Sequence, residues 1–172
     1  MLKLFGCVLI LGGMTGFGMS SVCRMKRHLG ELLEYKEILY ALLGEIRHYK
    51  KPLAEAFESA AAKRTEGYRL VLGMIAGRMK NFEEARGSEI WEDSFLTYRE
   101  KFLFSREEAD IILKTGRFLD APDAESQQRE LELYEKQIDR SISGMQNALD
   151  GKRKICMYGS VLGGLFLIIL LI

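Results

Sequence analysis

The chain is 172 residues long, one ordinary domain's worth of material, and it sets 25 Lys plus Arg against 24 Asp plus Glu. That balance excludes the single-sign field on which nucleic-acid binding depends, so no nucleic-acid partner is expected. Aromatic residues make up 10% and proline is confined to Pro52 and Pro122, a composition that speaks against disorder.

The averages hide a segregation. Residues 1–23 carry one charge, Lys3, and residues 155–172 carry none, so all 24 acidic residues fall within 24–154. Leu4 to Cys23 reads LFGCVLILGGMTGFGMSSVC, and roughly 17–25 mainly apolar residues cross a bilayer as a helix. A cleaved signal peptide is the competing reading. No small-x-small cleavage site follows the apolar run, and Arg24, Lys26 and Arg27 stand where a stop-transfer flank belongs, which favours a retained span.

Beyond it the period is helical. Leu32, Tyr35, Leu39, Leu42, Ile46 and Tyr49 line one face of a long helix that Lys51-Pro52 breaks. Pro52 suits the first position of a second helix, with Leu53, Ala56, Phe57 and Ala60 inward. Thr65 to Gly67 are expected to turn into a third helix from about Tyr68, with Leu70, Met74, Ile75, Met79 and Phe82 inward, ending in the Glu83–Gly87 loop. Ser88 is the expected cap of a fourth, whose aromatic stripe Trp91, Phe95, Tyr98 and Phe102 is core by spacing. Ser105-Arg106-Glu107-Glu108 reads as a capping box with Phe104 set to pack over Ala109, so a fifth helix starts there and runs to about Leu119 with Ile112 and Leu113 buried. Ala121-Pro122-Asp123 then makes a turn and cap. The last helix carries Leu131, Tyr134, Ile138, Ile142, Met145 and Leu149 on one face, with Gly151 as the expected place for a break, glycine weakening a helix interior by about 1 kcal/mol relative to Ala.

The C-terminal run ICMYGSVLGGLFLIILLI, 155–172, is the stronger span. Lys152, Arg153 and Lys154 precede it, so both inner flanks are basic and place the middle on the cytoplasmic side. The expected organisation is all-α: a transmembrane helix over 1–23, a cytoplasmic bundle of about six helices over 24–154, and a transmembrane helix over 155–172. Gly12-x-x-x-Gly16 and Gly159-x-x-x-Gly163 have the small-residue spacing that lets helix backbones approach, within one hairpin or between the protomers of a homo-oligomer.

No catalytic constellation is present: no phosphate-binding glycine loop, no nucleophile elbow, no Cys/His cluster. Cys7, Cys23 and Cys156 sit in or at the apolar ends as small fillers. Glu45 and His48 have the Glu-x-x-His spacing of di-iron bundles, but such sites use two copies and only His28 remains. No enzyme activity, metal or cofactor is expected.

Leu42-Leu43-Gly44-Glu45-Ile46-Arg47-His48-Tyr49-Lys50-Lys51-Pro52-Leu53-Ala54-Glu55-Ala56 resembles the L-x-x-E-I-x-x-x-x-x-P-L-x-E-A stretch of the stage III sporulation protein AB family of endospore-forming bacteria. Leu2-Lys3-Leu4, Trp91, Asp123-x-Glu125-Ser126-Gln127-Gln128 and Tyr158-Gly159 also sit where that family has them. Glu45, Pro52, Leu53, Glu55, Ala56, Trp91, Ser126 and Gln127 carry the resemblance, in structural or interaction roles. One departure is visible, Leu119-Asp120-Ala121-Pro122 in place of a Leu-Gly turn. That family is similar to the helical domain of type II secretion F platform proteins. The resemblance implies a two-span protein of the mother-cell membrane around the forespore, a non-enzymatic component of a secretion-like channel complex with other sporulation channel proteins and a secretion-type ATPase as partners. A general type II secretion or type IV pilus-like platform protein outside sporulation is the alternative.

Overall fold

The computed structural model describes residues 2–49, 52–81 and 84–171, with side chains described for 20, 22–47, 52–81, 84–152 and 154–155. Among the described residues there are six α-helices and no strand: α1 (Leu2–Gly44), α2 (Leu53–Ala61), α3 (Glu66–Lys80), α4 (Gly87–Thr97), α5 (Arg106–Thr115) and α6 (Ala124–Leu171). A π-helical turn, Glu45–Tyr49, follows α1, and 3-10 turns cover Arg99–Lys101 and Gly116–Asp120. The chain divides into two units, one of residues 1–29 with 143–172, the other Gly30–Ile142. Among the described residues no helix is long and apolar enough to cross a membrane. The two expected spans lie almost wholly outside the residues whose side chains are described. Helix α6 continues through Gly151, since the helix penalty of one glycine is small against 48 residues of continuous hydrogen bonding.

The unit 30–142 is organised around the apolar face of α1. Leu32, Tyr35, Ile38, Leu39 and Leu42 are all at 1% exposure or less, and Leu131, Tyr134, Ile138 and Ile142 of α6 are buried too. Each such side chain is worth about 1.5–3 kcal/mol on burial. The surface pairs Lys36–Asp139 and Arg64–Glu37, both 2.5 Å, contribute about 0–1 kcal/mol each, so apolar burial and not ion pairing holds the unit together. Ile46 is only half-buried, because α1 gives way to the π-helical turn one residue before it and the stripe loses its register.

Helices α2 and α3 pack against each other through small residues. Ala56, Ala60 and Ala61 are buried on α2 beside Phe57. On α3 the buried set is Gly67, Tyr68, Val71, Leu72, Ile75 and Ala76, with Leu70, Met74 and Met79 only half-buried. The inward face is therefore rotated from the one apolarity predicts, and Phe82 lies outside the described residues. Gly67 is part of the helix and not of the preceding turn. A Cβ there would come 3.1 Å from the Phe102 ring, so the bare backbone is what lets that ring approach. Pro52 stands one position ahead of α2, its carbonyl accepting from the Glu55 and Ala56 amides at 2.9 and 3.2 Å.

The start of α4 is not capped by Ser88. The helix begins earlier, at Gly87, and the Asp120 carboxylate, 32 residues downstream, accepts from the Ser88 amide at 3.1 Å and from its hydroxyl. A carboxylate at a helix N-terminus satisfies an orphan N–H and suits the positive end of the helix dipole. The Leu119-Asp120 departure thus has a structural use. Asp120→Ala is expected to cost about 0.5–2 kcal/mol, the usual worth of an N-terminal cap, read as a lower denaturant midpoint at unchanged slope.

The capping box at Ser105 forms as the spacing predicts. The Ser105 hydroxyl accepts from the Glu108 amide at 3.2 Å and the Glu108 carboxylate accepts from the Ser105 amide at 2.7 Å. Helix α5 stops at Thr115, earlier than expected, and tightens into the 3-10 turn Gly116–Asp120. Asp123 caps α6, its carboxylate accepting from the Ser126 amide at 2.8 Å and hydroxyl at 3.1 Å. Those bonds hold its carboxyl below the ordinary 3.8. A depressed carboxylate stabilises above its unfolded pKa and loses that contribution as pH falls through the folded one. The gap in melting temperature between the protein and Asp123→Ala is therefore expected to be present at neutral pH and to close below about pH 4.

Candidate docking surface

The segment from α4 to α5 positions a surface that no single helix could make. Trp91 and Phe95 point inward from α4. The indole N–H of Trp91 donates to the Ile112 carbonyl at 2.7 Å, which ties α4 to α5. After Thr97 the chain leaves helix, so Phe102 does not continue the α4 stripe; it stands in extended backbone with φ −118° and ψ 152°. From there its ring meets Tyr68 at 4.8 Å and Phe104 at 4.9 Å, the latter pair within 9° of parallel. Phe95 continues the row to Trp91 at 4.9 Å. The loop is pinned from α1, where the Glu31 carboxylate accepts from the Leu103 amide at 2.7 Å.

This arrangement leaves an open groove of about 270 Å³ between the end of α4 and α5. Phe95, Phe102, Phe104, Ala109, Ile112 and Leu113 line it, Leu96 stands at it 46% exposed, and Arg99, Arg106 and Asp110 supply its polar groups. Its volume falls just below the ~300–1,000 Å³ range of small-molecule sites, and few polar groups converge on it.

The family-motif residues are placed elsewhere. Glu45 opens the π-helical turn and, with Ala56, lines a second cleft of about 350 Å³ that also includes Ser59, Lys63 and Arg64. Pro52 and Glu55 are exposed and Leu53 half-buried at the start of α2. Trp91 is wholly buried. Ser126 and Gln127 serve the first turn of α6, the Gln127 amide donating to the Asp123 carbonyl at 3.0 Å. The structure thus brings Glu45 and Ala56 together and leaves the others to separate local jobs. Gly12 and Gly16 fall in α1, Gly159 and Gly163 in α6, and what their faces meet lies outside the described residues, as does the His48 side chain.

No group of three or more His, Cys, Asp or Glu that could hold a metal occurs among the described residues. Burial pushes the phenols of Tyr35 and Tyr68 up from their ordinary value, so both stay protonated at neutral pH. The Tyr35 hydroxyl lies by Thr115, whose own proton goes to the Ile111 carbonyl at 2.8 Å.

The family described as stage III sporulation protein AB matches residues 3–172. The chain belongs to that family. Membership supports a role connected with sporulation. A solved structure, described as stage III sporulation protein AB (SpoIIIAB), superposes with a TM-score of 0.67 at 17% identity, covering 72% of this chain and 97% of its own. At that identity the likeness bears on the fold. No curated protein matches the chain.

The groove is not legible in the residue pattern. Leu96, Arg99 and Arg106 come from three successive segments, and the spacing that puts Phe102 on the α4 face is interrupted by the 3-10 turn Arg99–Lys101. The available signal was the run Phe102-Leu103-Phe104 set directly ahead of a capping box, too short for a helix of its own and too apolar for an ordinary loop.

Proposed function

We propose that the protein is a non-enzymatic membrane platform component of a sporulation channel, a secretion-like complex between mother cell and forespore. On this reading the apolar ends, 1–23 and 155–172, are transmembrane helices, and the helical domain 24–154 faces the mother-cell cytoplasm. There it docks a secretion-type ATPase. The observation that carries the reading is the family match across residues 3–172. The basic flanks Arg24, Lys26, Arg27 and Lys152, Arg153, Lys154 support the orientation, and a helical unit with an open apolar groove suits docking better than catalysis.

The test is co-purification of the full chain, reconstituted in lipid nanodiscs, with purified sporulation ATPase. Saturable binding without any other component is expected, together with an extracytoplasmic readout from a reporter fused after Ile172. Absence of binding removes the docking role, and a cytoplasmic reporter removes the topology.

A further inference from the structure

We propose that the groove between α4 and α5 receives an acidic amphipathic helix of a partner protein. Leu96 presents nearly half its surface to solvent at a groove whose floor is the parallel pair Phe102 and Phe104. An apolar surface of this kind, preformed by ring stacking and held by Glu31 on the loop amide, gains by being covered and loses little entropy when it is.

The charges decide what covers it. Neighbouring cations are spoken for: Lys101 pairs with Glu66 at 3.2 Å and Arg78 with Asp93 at 3.3 Å. Asp110, the groove's one carboxylate, is neutralised by Lys114 at 2.6 Å. Arg99 and Arg106 are exposed on the groove and have no carboxylate partner among the described residues. Glu100 and Glu107, their neighbours in sequence, do not line it. A segment that covers Leu96 therefore meets two uncompensated guanidiniums, which form bidentate bonds to carboxylates and penalise cations. The groove lies between two helices, and the segment suited to such a groove is a helix with apolar residues on one face and Asp or Glu beside them.

The assignment of that helix to the ATPase rests on the docking reading above. The groove itself is tested apart from it, with the full chain in nanodiscs and a pair of labelled, stapled helical peptides of about 15 residues. Both carry leucines along one face; one flanks them with Glu, its twin with Lys. Fluorescence anisotropy is expected to show saturable binding of the Glu peptide and about tenfold weaker binding of the twin. Arg99→Glu with Arg106→Glu is expected to reverse the preference, and Leu96→Glu to weaken both peptides, all variants keeping the wild-type circular dichroism spectrum. No saturable binding of the Glu peptide, equal binding of the twins, or an unreversed preference would overturn the proposal. So would self-association of the wild-type chain that Leu96→Glu dissolves, because the occupant would then be a second copy. If the ATPase fails to bind the wild-type chain, the docking reading falls and the peptides alone decide the groove. If it binds the wild type and the groove variants alike, docking stands and the helix is not the ATPase's.

Discussion

Trp91→Ala is expected to lower the unfolding free energy by about 3–5 kcal/mol, the usual cost of removing a large aromatic from a closed site. Trp91 is fully buried, its ring lies 6.1 Å from Phe57, 4.9 Å from Phe95 and 5.8 Å from Phe118, and its N–H closes on the Ile112 carbonyl. The substitution removes all four contacts together and empties the junction of α2, α4, α5 and the 3-10 turn. Against a typical total of about 5–15 kcal/mol this is a large share. Trp91→Phe keeps most of the packing and loses the hydrogen bond, so a smaller loss of about 1–3 kcal/mol is expected. Because Trp91 is the chain's one tryptophan, denaturant unfolding has to be followed by circular dichroism. A loss below about 1 kcal/mol for the alanine variant would show that the site collapses around the missing ring.

Gly116→Ala is the second large effect. A Cβ at Gly116 would fall 2.8 Å from Cβ, Cγ and Cδ1 of Trp91. The obstacle is the base of a locked indole, which has no flexible end to swing away. Overpacking of this kind costs about 1–3 kcal/mol. Its cause also predicts a partial cure. Trp91→Ala removes Cγ and Cδ1 but keeps the Cβ, so the added methyl gains room on the indole side alone, and the double variant is expected to be more stable than the sum of the two single losses by about 0.5 kcal/mol or more. Strict additivity would place the strain of Gly116→Ala at the Cβ that alanine keeps and not at the indole.

Much of this arrangement was open to a reader of the residues. Of the two expected stripes, Leu32, Tyr35, Leu39 and Leu42 and then Leu131, Tyr134, Ile138 and Ile142 are buried, because long apolar side chains at 3.6 spacing leave one choice of inward face, whereas Ile46, Met145 and Leu149 are half-buried and the Tyr49 side chain lies outside the described residues. The local caps at Ser105 and Asp123 were legible because donor and acceptor lie three residues apart. What failed depended on distance or on small size. Helix α3 turned inward on Gly67 and Ala76, which hydrophobicity hardly weighs, while Leu70 and Met74 were left half-buried. The Asp120 cap depends on a contact across 32 residues. The groove needed Leu96, Phe104 and Leu113 from three successive segments, and no period links them. Trp91, singled out as a family residue, is a core anchor.

Two carboxylates on consecutive turns of α1 hold backbone amides of two other segments. Glu34 accepts from the Thr65 amide at 2.6 Å and hydroxyl at 2.8 Å, and Glu31 accepts from the Leu103 amide at 2.7 Å. Both loop amides are thus latched to one rod, and a twist of α1 by a single residue, about 100° from its 3.6-residue turn, would withdraw both acceptors in the same motion. In hydrogen exchange, Thr65 and Leu103 are accordingly expected to open with α1 and not with the loops that contain them, so the aromatic face before α5 is coupled to a helix that lies more than 50 residues away from it in the chain.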